Sequence, residues 1–96
     1  MRVAYSKDAL IEMDVIYEHI CANFGYRVAH AKIANLREDI NRLGQHPFMG
    51  KSCDGHDENF RLLVSKPNVI IYDINDEVIE ILHVVDARTD YVRNFL

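Results

Sequence analysis

Four side chains in the second half of this chain of 96 residues have types suited to handling a phosphate or moving a proton, namely Arg61, His83, Arg88 and Tyr91. An arginine stabilises the charge that builds on a phosphorane-like transition state, and a His or Tyr can shuttle the proton of a 2′-hydroxyl. RNA cleavage by 2′-hydroxyl attack needs only such parts and no metal. For that chemistry the four must converge at one end of a sheet. The closing stretch "ILHVVDARTDYVRNFL" also carries Asp86 and Asp90, which repel phosphate and can pair with Arg88. An exposed ion pair at a sheet rim is common and worth little. His83 alternates with Ile79, Ile81 and Val85, so it reads equally as a hydrogen-bonded residue of the core or rim.

A second candidate is "CDGH", where Cys53 and His56 have a metal-like two-residue gap and His46 shares the loop. A zinc site needs three or four ligands, and no second pair stands at a suitable distance, so a polar loop without metal is expected. The chain has no P-loop, no G-x-G-x-x-G, no H-E-x-x-H and no G-x-S-x-G, so no nucleotide or other cofactor is expected.

The elements that must position these residues are legible in the hydrophobic period. "RVAY" reads as a short strand. Ser6 offers a helix N-cap, with Asp8 favouring the dipole of the first turn. Leu10, Met13, Tyr17, Ile20 and Phe24 then recur at spacings of three and four, and Gly25 suits the helix C-terminus. Ala29, Ile33, Leu36, Ile40 and Leu43 form the stripe of a second helix that Gly44 stops. So short a turn folds the two back as an antiparallel hairpin. Ile11, Val15 and Ala22 lie away from the main stripe of the first helix, and this second apolar stripe suits either a partner or cover from the chain itself.

"GQHPFMGKSCDGHDEN" reads as a long loop, with three of the four glycines. The period then changes to two. "FRLLVS", "VIIYDI" and "VIEILHVV" are strands, and the turns "KPN" and "NDE" are short enough to demand an antiparallel meander. The fold class is α+β, ordered β-α-α-β-β-β over one domain, 1–96, with the helical hairpin covering one face of an antiparallel sheet.

Composition narrows the partners. Hydrophobic residues are 49% and charged residues 27%, the balance of a globular domain. No apolar run approaches the roughly 18 residues of a membrane span. The N-terminus lacks a signal-peptide apolar region, and two cysteines make no disulfide framework, so a reducing cytoplasm is the expected setting. The net charge of −4 is uneven. Residues 1–56 hold seven acidic and seven basic side chains, whereas residues 57–96 hold eight acidic against four basic. Nucleic-acid affinity comes largely from neutralising phosphates, and the second half is poorly suited to that.

The order of elements resembles the RelE/ParE superfamily of bacterial toxins. The segments that carry the resemblance are "ALIEMDVIYEHI", "FGYRVAHAKIANLREDINRL", "HPFMG" and "FRLLVSKPNVIIYDINDEVIEILHVVDAR". The last is the most specific, with Arg61 opening one strand, Tyr72 midway along the next, and His83 then Arg88 closing the third. RelE-like members are ribosome-dependent mRNA endonucleases with several basic residues on the sheet and a C-terminal Tyr or His. ParE-like members poison DNA gyrase and lack most of that constellation. "NVIIYDI" has no basic residue where a nuclease would place one, with Val69 near that position, and the half is net acidic. The resemblance is therefore to the ParE branch. It implies a non-enzymatic toxin that inhibits DNA gyrase by protein contact. A cognate ParD-like antitoxin would neutralise it in a hetero-oligomer, and no membrane, no metal and no sequence-specific nucleic-acid contact would be involved. On this reading Ile11 and Val15 belong to the antitoxin surface, and Arg61, His83, Arg88 and Tyr91 to the toxic one. The alternatives are a RelE-type endonuclease acting on the ribosome, with Arg61, His83, Arg88 and Tyr91 as catalytic candidates, and an inactive member that only binds its antitoxin.

Overall fold

The computed structural model describes residues 1–53 and 55–89. The elements are β1 (Arg2–Tyr5), α1 (Lys7–Phe24), α2 (Tyr26–Arg42), β2 (Lys51–Ser52), β3 (Phe60–Ser65), β4 (Asn68–Asn75) and β5 (Val78–Asp86). The α+β architecture is the expected one, a helical hairpin on a sheet. The sheet order is β1-β5-β4-β3-β2. The β3-β4-β5 meander is antiparallel, as its two short turns require. Two features refine the expectation. The N-terminal strand joins in parallel, pairing Arg2 with Val78 through Tyr5 with Ile81, so the sheet is mixed. The long loop is not wholly irregular either, because Lys51–Ser52 adds a short edge strand against Arg61 and Leu62.

The helix ends follow local chemistry. The Ser6 hydroxyl accepts from the Ala9 amide at 3.0 Å, closing the first turn of α1. Gly25 ends α1, its N–H bonding the Cys21 carbonyl, and at φ 87° it turns the chain straight into α2. The stripe of α2 is the expected one, with Ala29, Leu36, Ile40 and Leu43 buried. That of α1 is rotated from the expectation. Ala9 and Met13 are buried and Ile16 packs beside them, whereas Leu10 and Phe24 face out. The small Ala9 lets the start of α1 approach the sheet closely, a contact that apolar spacing alone does not reveal.

The sheet has a core on each face, because residues alternate along a strand. Ile70 and Tyr72 join Met13, Leu36, Ile40, Ile79 and Ile81 under the helices. Val69 and Ile71 pack with Leu62 and Cys53 on the opposite face. A bulge in β5 sets Tyr72 opposite Ile81 but Ile71 opposite His83. It breaks the simple alternation expected of this strand. Ile81 and Val84 share the helix-side core, whereas Leu82 and Val85 pack on the other cluster. His83 therefore does not continue an Ile79-Ile81-Val85 face.

The bulge lies where β1 ends and the edge of β5 would otherwise be bare. The N-cap and a side chain of α1 close it. The Ser6 hydroxyl donates to the Leu82 carbonyl at 2.8 Å, and the Glu12 carboxylate accepts from the Val84 amide at 3.1 Å. An uncovered edge is a template for unwanted pairing, and here it is occupied from within.

Candidate functional site

Arg61 and Arg88 do not meet at one end of the sheet. Arg61 opens β3 opposite Tyr72, whereas Asp86 pairs with Asn68 and Ser65 with Asn68 at the far end of the same ladder. Four strand positions separate the Tyr72 and Asn68 levels, about 13 Å at the usual rise, and Arg88 lies beyond Asp86. The expected convergence of Arg61 and Arg88 at one sheet end is thus not observed. Tyr91 lies outside the described residues.

Each described candidate has local work. The Arg61 Nε donates to the Glu58 carbonyl at 2.9 Å and its Nη1 to the Gly50 carbonyl at 2.7 Å. Its guanidinium stands 4.7 Å over the Phe48 ring, a cation–π contact. His83 Nδ1 lies 3.2 Å from both Glu12 carboxylate oxygens. Glu12 thus serves the imidazole and the β5 edge together. Arg88 grips Asp86 in a fork, Nε to Oδ1 and Nη2 to Oδ2, each at 2.9 Å. The Arg88 amide donates to Asp86 Oδ1 as well, at 2.8 Å. Hydrogen bonding from the Arg88 side chain and amide lowers the Asp86 carboxyl to about 2, and Asp86 raises the guanidinium of Arg88 in turn.

Near Arg61 the loop after α2 is fastened to the sheet. Tyr72, fully buried on β4, donates its hydroxyl proton to the Pro47 carbonyl at 2.7 Å and accepts from the Gly50 amide at 3.0 Å. Burial raises its phenol pKa, against the opposing pull of the Gly50 amide and Arg61. Cys53 is buried with Leu62, Val69 and Ile71, and His56 stacks on Phe60 at 4.9 Å. Among the described residues no group of three or more His, Cys, Asp or Glu is placed to hold a metal ion.

A concavity lies elsewhere. A groove of about 630 Å³ runs between the helical hairpin and the β3–β4 turn. Its apolar lining includes Val15, Ile20, Phe24, Val28, Ile33 and Pro67. Lys32, Lys66 and Arg88 bring positive charge to it and Asp86 the opposing carboxylate. Val15, 59% exposed, therefore lines a groove, whereas Ile11, 51% exposed, is not among the lining residues. The second apolar stripe of α1 pointed to Val15, but the groove itself forms only where α1, α2 and the turn meet in three dimensions. A weak signal was present in Phe24 and Val28, apolar residues flanking a helical turn.

Comparison with known proteins bears on the arrangement as a whole. The family model described as the ParE toxin of the type II toxin–antitoxin system parDE matches residues 3–91. Toxin ParE3 of Caulobacter vibrioides is 26% identical over 87 residues, covering 91% of this chain and 87% of that protein. The chromosomal ParDE toxin–antitoxin system from P. aeruginosa contains a chain of the same fold, with a TM-score of 0.78 at 20% identity. The match covers 90% of this chain and 95% of that one. A conserved hypothetical protein of Helicobacter pylori, HP0894, aligns with a TM-score of 0.54 at 20% identity, over 90% of this chain and 93% of its own. With the family model spanning nearly all of the described sheet and both helices, the chain belongs to the ParE toxin family of type II toxin–antitoxin systems.

Proposed function

We propose that this ParE-family toxin inhibits DNA gyrase by protein–protein contact in the cytoplasm, holding the enzyme in its cleaved-DNA state without itself catalysing a reaction. The observation that carries the choice over RNA cleavage is the dispersal of the cationic groups. Central strand β4 has no basic residue along Asn68–Asn75, Arg61 is committed to two carbonyls, and Arg88 is neutralised by Asp86. A phosphoryl-transfer site needs cations preorganised on one phosphate, whereas a protein interface tolerates their separation. Purified toxin should block supercoiling by purified gyrase at near-stoichiometric concentration. Unimpeded supercoiling would refute the gyrase reading. Codon-dependent cleavage of translated mRNA, lost in Arg88→Ala, would establish the endonuclease alternative, and unimpaired growth on expression without antitoxin would mark an inactive member.

A cognate antitoxin follows from the family, and the groove is our choice for its seat. Its apolar floor and its cations at Lys32 and Lys66 suit an amphipathic segment with acidic flanks, read through apolar anchors at helical spacing. Val15 belongs to that surface, with Ile11 as its outer margin on α1. Val15→Glu places a charge in the groove from an already exposed position, so it should weaken antitoxin binding and leave the melting temperature unchanged. Undiminished complex formation on size-exclusion chromatography with the co-expressed antitoxin would move the seat elsewhere.

A further inference from the structure

We propose that the loop tip Phe48–Met49 is the part of the toxin that contacts its protein target, with Arg61 and Tyr72 as positioning residues beneath it. This rests on the reading that the target is a protein. Phe48 is 60% exposed and Met49 40%. Single exposed apolar residues are ordinary. The fastening under this pair is not. Tyr72, buried in the central strand, bonds the chain on both sides of the tip, at Pro47 and Gly50. Arg61 bonds the Gly50 carbonyl and lies over the Phe48 ring. Gly50 is itself obligatory, since a Cβ there would stand 2.7 Å from both the Leu62 carbonyl oxygen and the Tyr72 hydroxyl. A buried tyrosine, an arginine and a glycine thus hold a short surface turn in one conformation that presents two large apolar side chains.

Such an anchor loses little freedom on binding. An aromatic ring backed by an arginine also has the composition of an interface hot spot. The matching partner surface is an apolar pocket sized for a phenyl ring with a carboxylate on its rim. The Arg61 guanidinium, packed over the ring, supplies the positive charge that this carboxylate would meet. The same ring and guanidinium could in principle stack on a nucleobase. Asp57 and Glu58 stand in the turn that leads to Arg61, in the acidic half of the chain, and they disfavour the phosphates that accompany a base. The tip lies at the Tyr72 level of the sheet and the groove at the Asn68 level, so single variants can separate the two surfaces.

The test compares wild type with a Phe48→Ser, Met49→Ser double variant in gyrase supercoiling, with thermal melting as the control for folding. The expected result is an unchanged melting temperature and at least about a tenfold higher concentration for half-inhibition, the effect of losing one hot-spot anchor. Equal inhibition by both proteins overturns the role of the tip and leaves the gyrase reading standing. If wild type does not inhibit gyrase, growth arrest decides. Arrest by wild type but not by the variant sustains the tip as the contact to another protein, and equal arrest, or no arrest by either, overturns it. Photo-crosslinking from position 48 to RNA or DNA rather than protein also overturns it.

Discussion

Arg61 and Arg88 stand at opposite ends of the same meander and are held in different ways. Arg61 is tied to two backbone carbonyls and an aromatic ring, beside the loop that the buried Tyr72 fastens. Arg88, its side chain 86% exposed, is held by Asp86 two residues away. The first arrangement fixes a loop whose backbone groups would otherwise lack partners. The second is a local ion pair in water, where screening and side-chain entropy leave little net stabilisation. Identical side chains thus acquire an architectural role at one end and an adjustable charge at the other. Substitutions at the two ends should separate these roles.

The largest expected effect is at the loop end. Gly50→Ala drives a methyl group into the Leu62 carbonyl, which the β-ladder prevents from moving, and should cost about 3 kcal/mol as overpacking. Urea denaturation measures it, and a loss under 1 kcal/mol would mean the loop is less firmly seated than the contacts imply. Tyr72→Phe keeps the ring in the core but strands the Gly50 amide and Pro47 carbonyl, for a loss of about 2 kcal/mol. Between the two ends, Glu12→Ala uncovers the Val84 amide at the β5 edge and should cost about 1 kcal/mol, with faster hydrogen exchange at Val84. Glu12→Gln, which keeps an acceptor, should restore much of that protection.

The smallest effect belongs to the groove end. Asp86→Asn should leave stability at pH 7 almost unchanged. The sign of its pH dependence is defined, because the folded carboxyl is lowered from 3.8 to about 2. Its contribution is present above pH 4 and lost as the pH falls through about 2. Wild type should therefore lose slightly more stability than the variant between pH 4 and pH 2. Parallel melting curves across that window would show that the pair contributes nothing.

Much of the fold was legible because it follows from local period. The stripe of α2, the Ser6 cap, the Gly25 turn and the bounds of β3 emerge from spacings of four or fewer residues and from turn chemistry. The site was less legible. Arg61 and Arg88 were identified as notable residues, but their separation depends on strand register, which brings Asp86 and Ser65 to Asn68 and Arg61 to Tyr72. Glu12 shows the same limit. In the sequence it is one of fifteen acidic residues, and only the ending of β1 beside β5 makes it the closure of a sheet edge.

Two helices, the N-terminal strand, the antiparallel meander and the acidic character of the sheet half were fixed in the linear chain, because periodicity, capping, turn length and charge are its properties, whereas the short edge strand Lys51–Ser52 was not. Tertiary structure decided the parallel docking of β1, the bulge that turns His83 toward Glu12, the fastening of Phe48 and Met49 over Tyr72, and the groove at Val15. Each of these depends on contacts between separate elements of the chain. Their proximity is set by sheet register and by the packing of the hairpin on the core, neither of which a local spacing encodes.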